Sequence, residues 1–167
     1  KERQISIHST PLHMEWGQKK FNIIDAPGYS DFIGESISSL AVVDMAALII
    51  HAVNGIEVGT ESMWKSATDL GIPKVLVVNG LDREHTKFEK ILEQAKERIG
   101  KNVFPMQLPV NAGPGFNQIV DVLRRELITY KTDGSGKYSE GELPANLISR
   151  IDDLHSELIE YVAESDD

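Results

Sequence analysis

The stretch NIIDAPGYSDF, residues 22–32, is the most informative part of the sequence, because it joins a strand pattern to a turn that can hold a ligand. Its apolar residues predict a strand that stops at Asp25, and Pro27-Gly28 then begins a turn. In an open α/β sheet, ligands bind beyond the carboxyl ends of the strands. The Asp25 carboxylate could hold Mg²⁺ there, while the Gly28 N–H contacts a phosphate oxygen. An Asp that only caps the end of a strand before a Pro-Gly turn would give the same sequence pattern.

The sequence around this stretch changes from a strand pattern to a helix pattern. Upstream, QISIHSTPLHM and KKFNIIDA alternate as strands do, and Gly17 between them suits a hairpin turn. Helical spacing begins at Asp31, and the predicted apolar face of that helix consists of Phe32, Ile33, Ile37, Leu40 and Ala41. A hairpin followed by a helix is therefore predicted for the first part of the chain.

Two apolar runs follow, at residues 45–53 and 74–79. Runs of this length predict strands that are buried on both faces of a parallel sheet. A helix is predicted after each of them, over residues 61–71 and 85–100, and each helix ends at a glycine. Strands that alternate with helices predict an α/β fold with a doubly wound sheet.

The residue pattern changes after Pro105, from alternating strands and helices to short strands and turns. We therefore predict a boundary between a domain of residues 1–104 and a smaller one of residues 105–167. MQLPVNAGPG predicts a short strand that runs into a loop. Residues 119–138 predict one hairpin that turns at residues 133–136. A last helix is predicted from Pro144, with an apolar stripe of Leu147, Ile148, Ile151, Leu154, Leu158, Ile159 and Val162. Its other face is acidic, with Asp152, Asp153, Glu157, Glu160 and Glu164 beside a single Arg150.

The composition narrows the function classes. A chain of 167 residues with 41% hydrophobic residues can bury a core. Its net charge of -9 argues against a protein that binds nucleic acid through phosphate contacts, so we expect no direct sequence-specific nucleic-acid partner. The absence of cysteine excludes disulfides and thiolate metal sites. No apolar run approaches the roughly 20 residues of a membrane span, and we expect a cytoplasmic protein without a membrane partner.

A second polar turn follows the run at residues 74–79, which ends in VVNGLD. Asn79 and Asp82 project from this one turn. The Asp82 carboxylate could accept hydrogen bonds from the ring N–H and exocyclic amine of guanine, whereas adenine presents the opposite pattern. Asn, Gly and Asp are also ordinary turn residues, so an Asx turn after a strand is the simpler alternative for this motif alone.

Together these motifs resemble the G domain of the translational GTPases, and most of all elongation factor G and its paralogues. RQISI at residues 3–7 resembles the end of the family's first switch, usually RGITI, whose Thr hydroxyl binds Mg²⁺; Ser6 keeps that hydroxyl. DAPG at residues 25–28, continued by Asp31-Phe32, resembles the second switch, DTPG. Asn79 and Asp82 match the ends of the guanine-reading NKxD.

The resemblance continues downstream. MQLPVNAG is similar to the family's QLPIG, and the final helix is similar to the long helix of the inserted subdomain peculiar to elongation factor G. The resemblance therefore implies a P-loop NTPase-like G domain, partial in this sequence, with an inserted α+β subdomain.

The resemblance also implies the cofactors and partners. Ser6 and Asp25 would bind Mg²⁺, the Gly28 N–H would touch the γ-phosphate, and Asn79 with Asp82 would select GTP or GDP. The ribosome is the implied partner. Its large-subunit stalk protein would meet the acidic helix, residues 144–165.

The largest departure from the family is that no G-x-x-x-x-G-K-[ST] phosphate loop occurs in the sequence. In the family this loop follows a strand that lies between the strands of residues 19–25 and 46–52. We expect either a segment of a longer chain or a rearranged sheet whose exposed strands could associate with other molecules. The chain alone is then expected to lack GTPase activity. Asn111-Ala112 only resembles the family's later base-binding turn.

Single residues also depart from the family pattern. Tyr29 stands where the family carries the His that orients the attacking water, and a phenol cannot carry imidazolium charge near neutral pH. We therefore expect slow or altered hydrolysis. Gly80 replaces the Lys whose stem packs beside the guanine, which predicts weaker nucleotide binding. Gln4 replaces a glycine of the first switch.

Three other functions remain open from the sequence. The parent protein could be another ribosomal GTPase, such as a ribosomal protection protein or a release factor. The chain could instead be a non-catalytic module with vestigial G motifs, whose acidic helix binds a basic partner. A phosphoacceptor domain that uses Asp25 is the third alternative, although such domains need an acidic pair and a late lysine that are not found at the required strand ends.

Overall fold

The computed structural model describes residues 5–165, so Arg3 and Gln4 of the predicted first switch lie outside the described residues. The elements follow the order β1 (Thr10–Trp16), β2 (Lys19–Asp25), α1 (Ile33–Leu40), β3 (Ala46–His51), α2 (Val58–Asp69), β4 (Lys74–Asn79), α3 (Phe88–Arg98), β5 (Gln107–Pro109), β6 (Gln118–Asp121), β7 (Glu126–Tyr130), β8 (Tyr138–Gly141) and α4 (Ile148–Ser165). A short 3-10 turn, Ser30–Phe32, precedes α1. The predicted α/β class is confirmed.

The chain forms two compact units. The first consists of the residues up to Ile50 together with Glu57–Val77, and the second consists of His51–Ile56 with the residues from Val78 onward. The described strands form three sheets, β1-β2, β3-β4 and β5-β6-β7-β8, rather than the single doubly wound sheet that we predicted. β2 and β3 thus lie in different sheets, as expected for strands that lack a shared neighbour. No helix within residues 5–165 is both long and apolar enough to cross a membrane.

The hairpin β1-β2 confirms the predicted turn. Its strands pair antiparallel from Thr10 with Asp25 to Trp16 with Lys19, and Gly17 adopts the left-handed φ of 59° that the tight turn requires. The strand β1 begins at Thr10, and the preceding residues 8 and 9, which the prediction placed in this strand, bond to Glu35 of α1 instead. The predicted start at Gln4 lies outside the described residues. Alternation places five large apolar residues on one face, and all are exposed: Leu12, Met14, Trp16, Phe21 and Ile23.

The strands β3 and β4 pair in parallel. The backbone N–H of Ala46 bonds to the Pro73 carbonyl at 2.9 Å and that of Ala52 to the Asn79 carbonyl at 2.8 Å, with equal spacing along both strands. The prediction that both faces are buried was wrong. Burial alternates along each strand, and Ile49 is 61% exposed although its neighbour Ile50 is 1% exposed. An apolar run alone cannot tell how many layers cover a sheet.

The helices of the first unit differ from the prediction at their ends and faces. On α1, Leu40 is buried but Ile37 and Ala41 are exposed, and the buried polar Ser36 takes a place on the inner face. The helix α2 begins at Val58, three residues before the predicted start. Its end is as predicted: Gly71, with φ 69°, forms a Schellman motif in which the Ile72 N–H bonds to the Ala67 carbonyl at 2.8 Å.

The second unit is built on the four-stranded antiparallel sheet. Two hairpins occupy the region where we predicted one. The turn at residues 133–136 joins β7 to β8 as predicted, but another turn joins β6 to β7 and places Arg125 at a φ of 58°. The chain beyond Asp121 therefore reverses twice.

The last helix covers this sheet. It begins at Ile148 rather than at Pro144, which lies in a preceding turn. Ile151 is fully buried against Leu108, Val120 and Val122 and forms the core of the unit with them. Leu158 is also buried, whereas Ile148, Ile159 and Val162 of the predicted stripe are exposed. Only the part of the stripe that faces the sheet is therefore buried.

Candidate functional site

The first half of the predicted site lies in the first unit, at the end of β2. Asp25 is exposed at the last position of the strand, and the buried Pro27 follows it. The Pro27 carbonyl accepts a hydrogen bond of 2.6 Å from the Ser36 hydroxyl of α1, which fixes the turn. A Cβ added to Gly28 would meet no atom within 4 Å, so the space beside its backbone is open to a ligand. The turn can therefore present a carboxylate and a backbone N–H to an anion-bound cation.

Ser6 lies in the exposed segment that precedes β1. Its neighbour Ile5 lines a cavity of about 380 Å³ together with Tyr29, Asp31 and Phe32. The segment of Ser6 and the turn after Asp25 thus both reach one cavity through these neighbouring residues, whereas a metal ion shared by Ser6 and Asp25 remains a prediction. Tyr29 is 58% exposed at this cavity, so its phenol is accessible to solvent.

The segment of Ser6 is attached to α1 by its next residues. The Glu35 carboxylate accepts a 2.9 Å hydrogen bond from the Ser9 backbone N–H and lies 3.3 Å from the His8 ring Nδ1. The Ser9 N–H and, second, the His8 ring hold the pKa of the Glu35 carboxyl below its ordinary value. The sequence analysis did not predict these contacts, because the partners are more than twenty residues apart and belong to no motif.

The donors for a metal are few. Among residues 5–165, no three His, Asp or Glu side chains are grouped as metal ligands. The predicted ligands are the Asp25 carboxylate and the Ser6 hydroxyl. Mg²⁺ is commonly held by one or two carboxylates and completes its shell with waters and substrate phosphates. This donor set therefore fits a Mg²⁺ ion that binds together with a phosphate group.

The other half of the predicted site lies in the second unit, at the end of β4. The Asn79 side-chain oxygen accepts a 2.8 Å hydrogen bond from the Gly80 N–H, and the Arg83 N–H bonds to the Gly80 carbonyl at 3.2 Å. The next residue, Leu81, accepts a 2.7 Å bond from the Gly113 N–H. These bonds fix the turn while Asp82 stays exposed. That Asn79 and Asp82 share one ligand with Asp25 remains a prediction.

Gly80 is the point at which this turn departs from NKxD. Its φ of 79° is left-handed. A Cβ there would lie 3.6 Å from His51 Nε2 and 3.7 Å from the Arg83 side chain. His51 Nδ1 accepts a hydrogen bond from the Val53 N–H at 3.2 Å. Two planar, exposed side chains thus approach the glycine, and the sequence analysis identified neither.

Asn111, which resembles a later family motif, has a structural role. Its side-chain oxygen accepts a 2.9 Å bond from the Gln118 N–H, and its amide donates to the Asn117 side chain at 2.9 Å. Both ends of the amide are thus used to shape the loop before β6. This supports the interpretation of Asn111-Ala112 as a chance likeness.

The acidic face of α4 is partly paired. Asp152 bonds to Arg125, and Glu157 lies 4.0 Å from Lys96. Arg150 makes a two-pronged contact with Glu89, at 2.8 and 2.9 Å. The other acids of this face, Asp153, Glu160 and Glu164, are exposed. Fewer acidic side chains of α4 are therefore available to a basic partner than the sequence indicated.

Comparisons with known proteins find matches that cover nearly the whole chain. The profile of the elongation factor Tu GTP binding domain matches residues 1–164. Elongation factor G of Salinibacter ruber is 36% identical over 168 residues, which cover 100% of this chain and 24% of that protein. A crystal structure of a Thermus thermophilus protein superimposes with a TM-score of 0.89 at 28% identity, over 99% of this chain and 24% of the other. The chain therefore spans about a quarter of the length of these relatives.

Proposed function

The chain belongs to the family of the elongation factor Tu GTP-binding domain, and from this premise we propose that it forms the guanine-nucleotide-binding part of an elongation factor G-like translation factor. The observation that best supports this function is the grouping around one cavity in the first unit. Ile5, which adjoins Ser6, and Tyr29, which adjoins Gly28, both line it. Two segments that the family uses as switches thus approach each other in this chain.

In this function Asp25 and Ser6 hold Mg²⁺, which neutralises phosphate charge when it is bound. The Asp25 carboxylate is exposed and can reach a cation directly or through water. The Gly28 N–H would donate to the terminal phosphate, and the open space beside this glycine supports such an approach. Loss of the terminal phosphate would remove one partner from each of these groups, which is how such segments are released.

Asn79 and Asp82 select the base. The Asp82 carboxylate accepts the two hydrogen bonds that guanine donates along one edge, and it offers no donor to the acceptor that adenine presents there. Asn79 holds the turn through the Gly80 N–H. Base selection therefore depends on Asp82, and Asn79 maintains its position.

Tyr29 makes hydrolysis slow. Its hydroxyl can donate or accept a hydrogen bond to a water molecule, but a phenol cannot supply the positive charge that an imidazolium carries. The parent protein would therefore depend on the ribosome, or on another residue, to orient the attacking water.

We assign the switch and base-reading motifs to a domain of residues 1–104 and the start of an inserted subdomain to residues 105–167. The parent protein acts on the ribosome in the cytoplasm, in translocation or a related step. The exposed acids Asp153, Glu160 and Glu164 support a basic partner at α4 such as the large-subunit stalk protein.

A second candidate is a non-catalytic module that binds a basic partner through α4, and the departures at Tyr29 and Gly80 favour it. The test joins the 167 residues to a phosphate-loop segment of the G-x-x-x-x-G-K-[ST] type and measures single-turnover GTP hydrolysis with and without ribosomes. Stimulation by ribosomes supports the GTPase. No stimulation, with intact folding by circular dichroism, favours the module.

Two measurements test the nucleotide site itself. The isolated 167 residues should show no micromolar GTP binding in calorimetry, because no phosphate loop occurs in the sequence. In the joined protein, Asp82→Ala should remove the preference for GTP over ATP. Asp153→Ala, an exposed acid in the same unit, is the matched control and should keep it. Equal preference in both variants would remove Asp82 from the site.

A further inference from the structure

Helix α1 is bonded to both segments that approach the candidate metal site. On one side, the Glu35 carboxylate accepts the Ser9 N–H at 2.9 Å, and the Ser39 hydroxyl lies 3.0 Å from that of Ser9. On another side, the buried Ser36 hydroxyl donates to the Pro27 carbonyl at 2.6 Å. One short helix therefore ties the segment that follows Ser6 to the turn that follows Asp25.

The spacing of these residues on α1 explains how one helix contacts both segments. Glu35 and Ser39 are four residues apart and so lie on the same face, one turn from each other. Ser36 directly follows Glu35, so its side chain points about a quarter turn around the helix from that of Glu35, toward the Pro27 turn. The two segments are therefore held at neighbouring faces of a single rigid element.

Ser9 is bonded to α1 through both its hydroxyl and its backbone N–H. The Ser9 and Ser39 hydroxyls lie 3.0 Å apart and either can be the donor, because each can also donate to the Glu35 backbone carbonyl, at 3.4 and 2.9 Å. The Ser9 backbone N–H donates to a carboxylate, and such charge-assisted bonds are stronger than neutral ones. The lowered pKa of the Glu35 carboxyl agrees with this arrangement.

We propose that Glu35 is a positioning residue, which anchors the segment of Ser6 on α1 so that the Ser6 hydroxyl and the Asp25 carboxylate reach the same cation. Ser6 is only three residues from the anchored Ser9, a span of about 10 Å at most. Without the anchor, the exposed Ser6 segment would have to be ordered when the ion binds, at a cost in conformational entropy. The inference rests on the proposed function, in which Ser6 and Asp25 are the metal donors.

The anchor is tested first without any ligand, by amide hydrogen exchange of the 167-residue chain. Glu35→Ala should raise the exchange rate of the Ser9 amide at least tenfold, whereas Glu35→Gln, whose amide oxygen can still accept the bond, should raise it much less. The amides that follow Asp25 should exchange as in the wild type, which shows that the unit is folded. Unchanged Ser9 exchange in Glu35→Ala would overturn the anchor.

A pair of neighbouring serines offers a milder test that leaves the carboxylate in place. Ser39→Ala removes the hydroxyl that contacts Ser9, while Ser38→Ala changes an exposed side chain on the same helix. Only Ser39→Ala should speed the exchange of Ser9. An equal effect of both substitutions would point to a general weakening of α1 and would contradict the anchor.

The positioning role is tested with Mn²⁺ and GTP at millimolar concentration, because paramagnetic broadening in NMR spectra registers weak encounters. In the wild type we expect broadening of the Ser6 and Asp25 amide signals, and Asp25→Asn should abolish it. Glu35→Ala should keep the broadening at Asp25 and lose it at Ser6, and Glu35→Gln should keep both.

The possible outcomes separate the two proposals. If broadening at Ser6 persists in Glu35→Ala, the positioning role of Glu35 is overturned, while the proposed nucleotide site is unaffected. Absence of broadening at both residues in the wild type overturns the metal site of the proposed function and the positioning role with it. In that case the exchange rate of Ser9 still decides whether the Glu35 anchor exists.

Discussion

Gly80→Lys is the substitution that would restore the family's usual residue in the NxxD turn, and we expect it to destabilise this chain. Gly80 has a φ of 79°, a region that costs a residue with a Cβ about 1–2 kcal/mol. The new Cβ would meet His51 and Arg83 at 3.6 and 3.7 Å, which is ordinary contact and adds no clash. Lysine has fewer conformations than glycine in the unfolded chain, and this difference alone raises the free energy of unfolding by about 0.4–1 kcal/mol. The net loss should therefore be about 1 kcal/mol.

The assay is urea unfolding followed by circular dichroism. Gly80→Ala should lose as much stability as Gly80→Lys, because the strain arises at the Cβ, and Gly80→Asn should lose less because Asn tolerates this conformation. Gly141→Ala is the control in the same unit, since its φ is not left-handed and a Cβ there meets nothing within 4 Å. If Gly80→Lys is as stable as the wild type, the reasoning from backbone strain is wrong.

Three further predictions concern the core, a turn and the catalytic position. Ile151→Ala should cost about 2–5 kcal/mol in urea unfolding, because the side chain is fully buried, whereas the exposed Ile159→Ala should stay within about 0.5 kcal/mol. The hydroxyl and N–H of Ser135 hold the pKa of Asp133 below its ordinary value, so the stability that this turn contributes is present above the ordinary pKa and is lost as pH falls through the lowered one. NMR titration should show this lowered pKa in the wild type and a pKa nearer to normal in Ser135→Gly, which removes the hydroxyl and keeps the N–H; equal values would refute the role of the hydroxyl. Tyr29→His, in the protein joined to a phosphate loop, should raise ribosome-dependent single-turnover hydrolysis at least tenfold, and an unchanged rate would show that water is oriented elsewhere.

Local turn chemistry explains which parts of the fold were predictable. Gly17 and Gly71 lie at left-handed positions that few other residues tolerate, so the hairpin and the end of α2 could be located from the sequence. The turn before β7 was missed because its left-handed residue is Arg125, which is not a turn signal. Residues of this kind are held in place by neighbours that are distant in sequence.

Burial was less predictable than secondary structure. The apolar run of β3 predicts a strand correctly, but the exposure of Ile49 depends on which elements lie over that face. The same limit applies to the candidate site. Asp25 and Asp82 could be found from their turns, whereas Glu35 could not, because its role arises from contacts with His8 and Ser9 across the fold.

Helix α1 gains little stability from its own sequence. Its eight residues, IGESISSL, include a glycine, three serines and two β-branched isoleucines, all of which form helices less readily than alanine. Isolated helices of fewer than about 12 residues are marginal in water even with favourable sequences. The helix therefore folds cooperatively with the segments bonded to it, and local unfolding of α1 would release both of them in a single step.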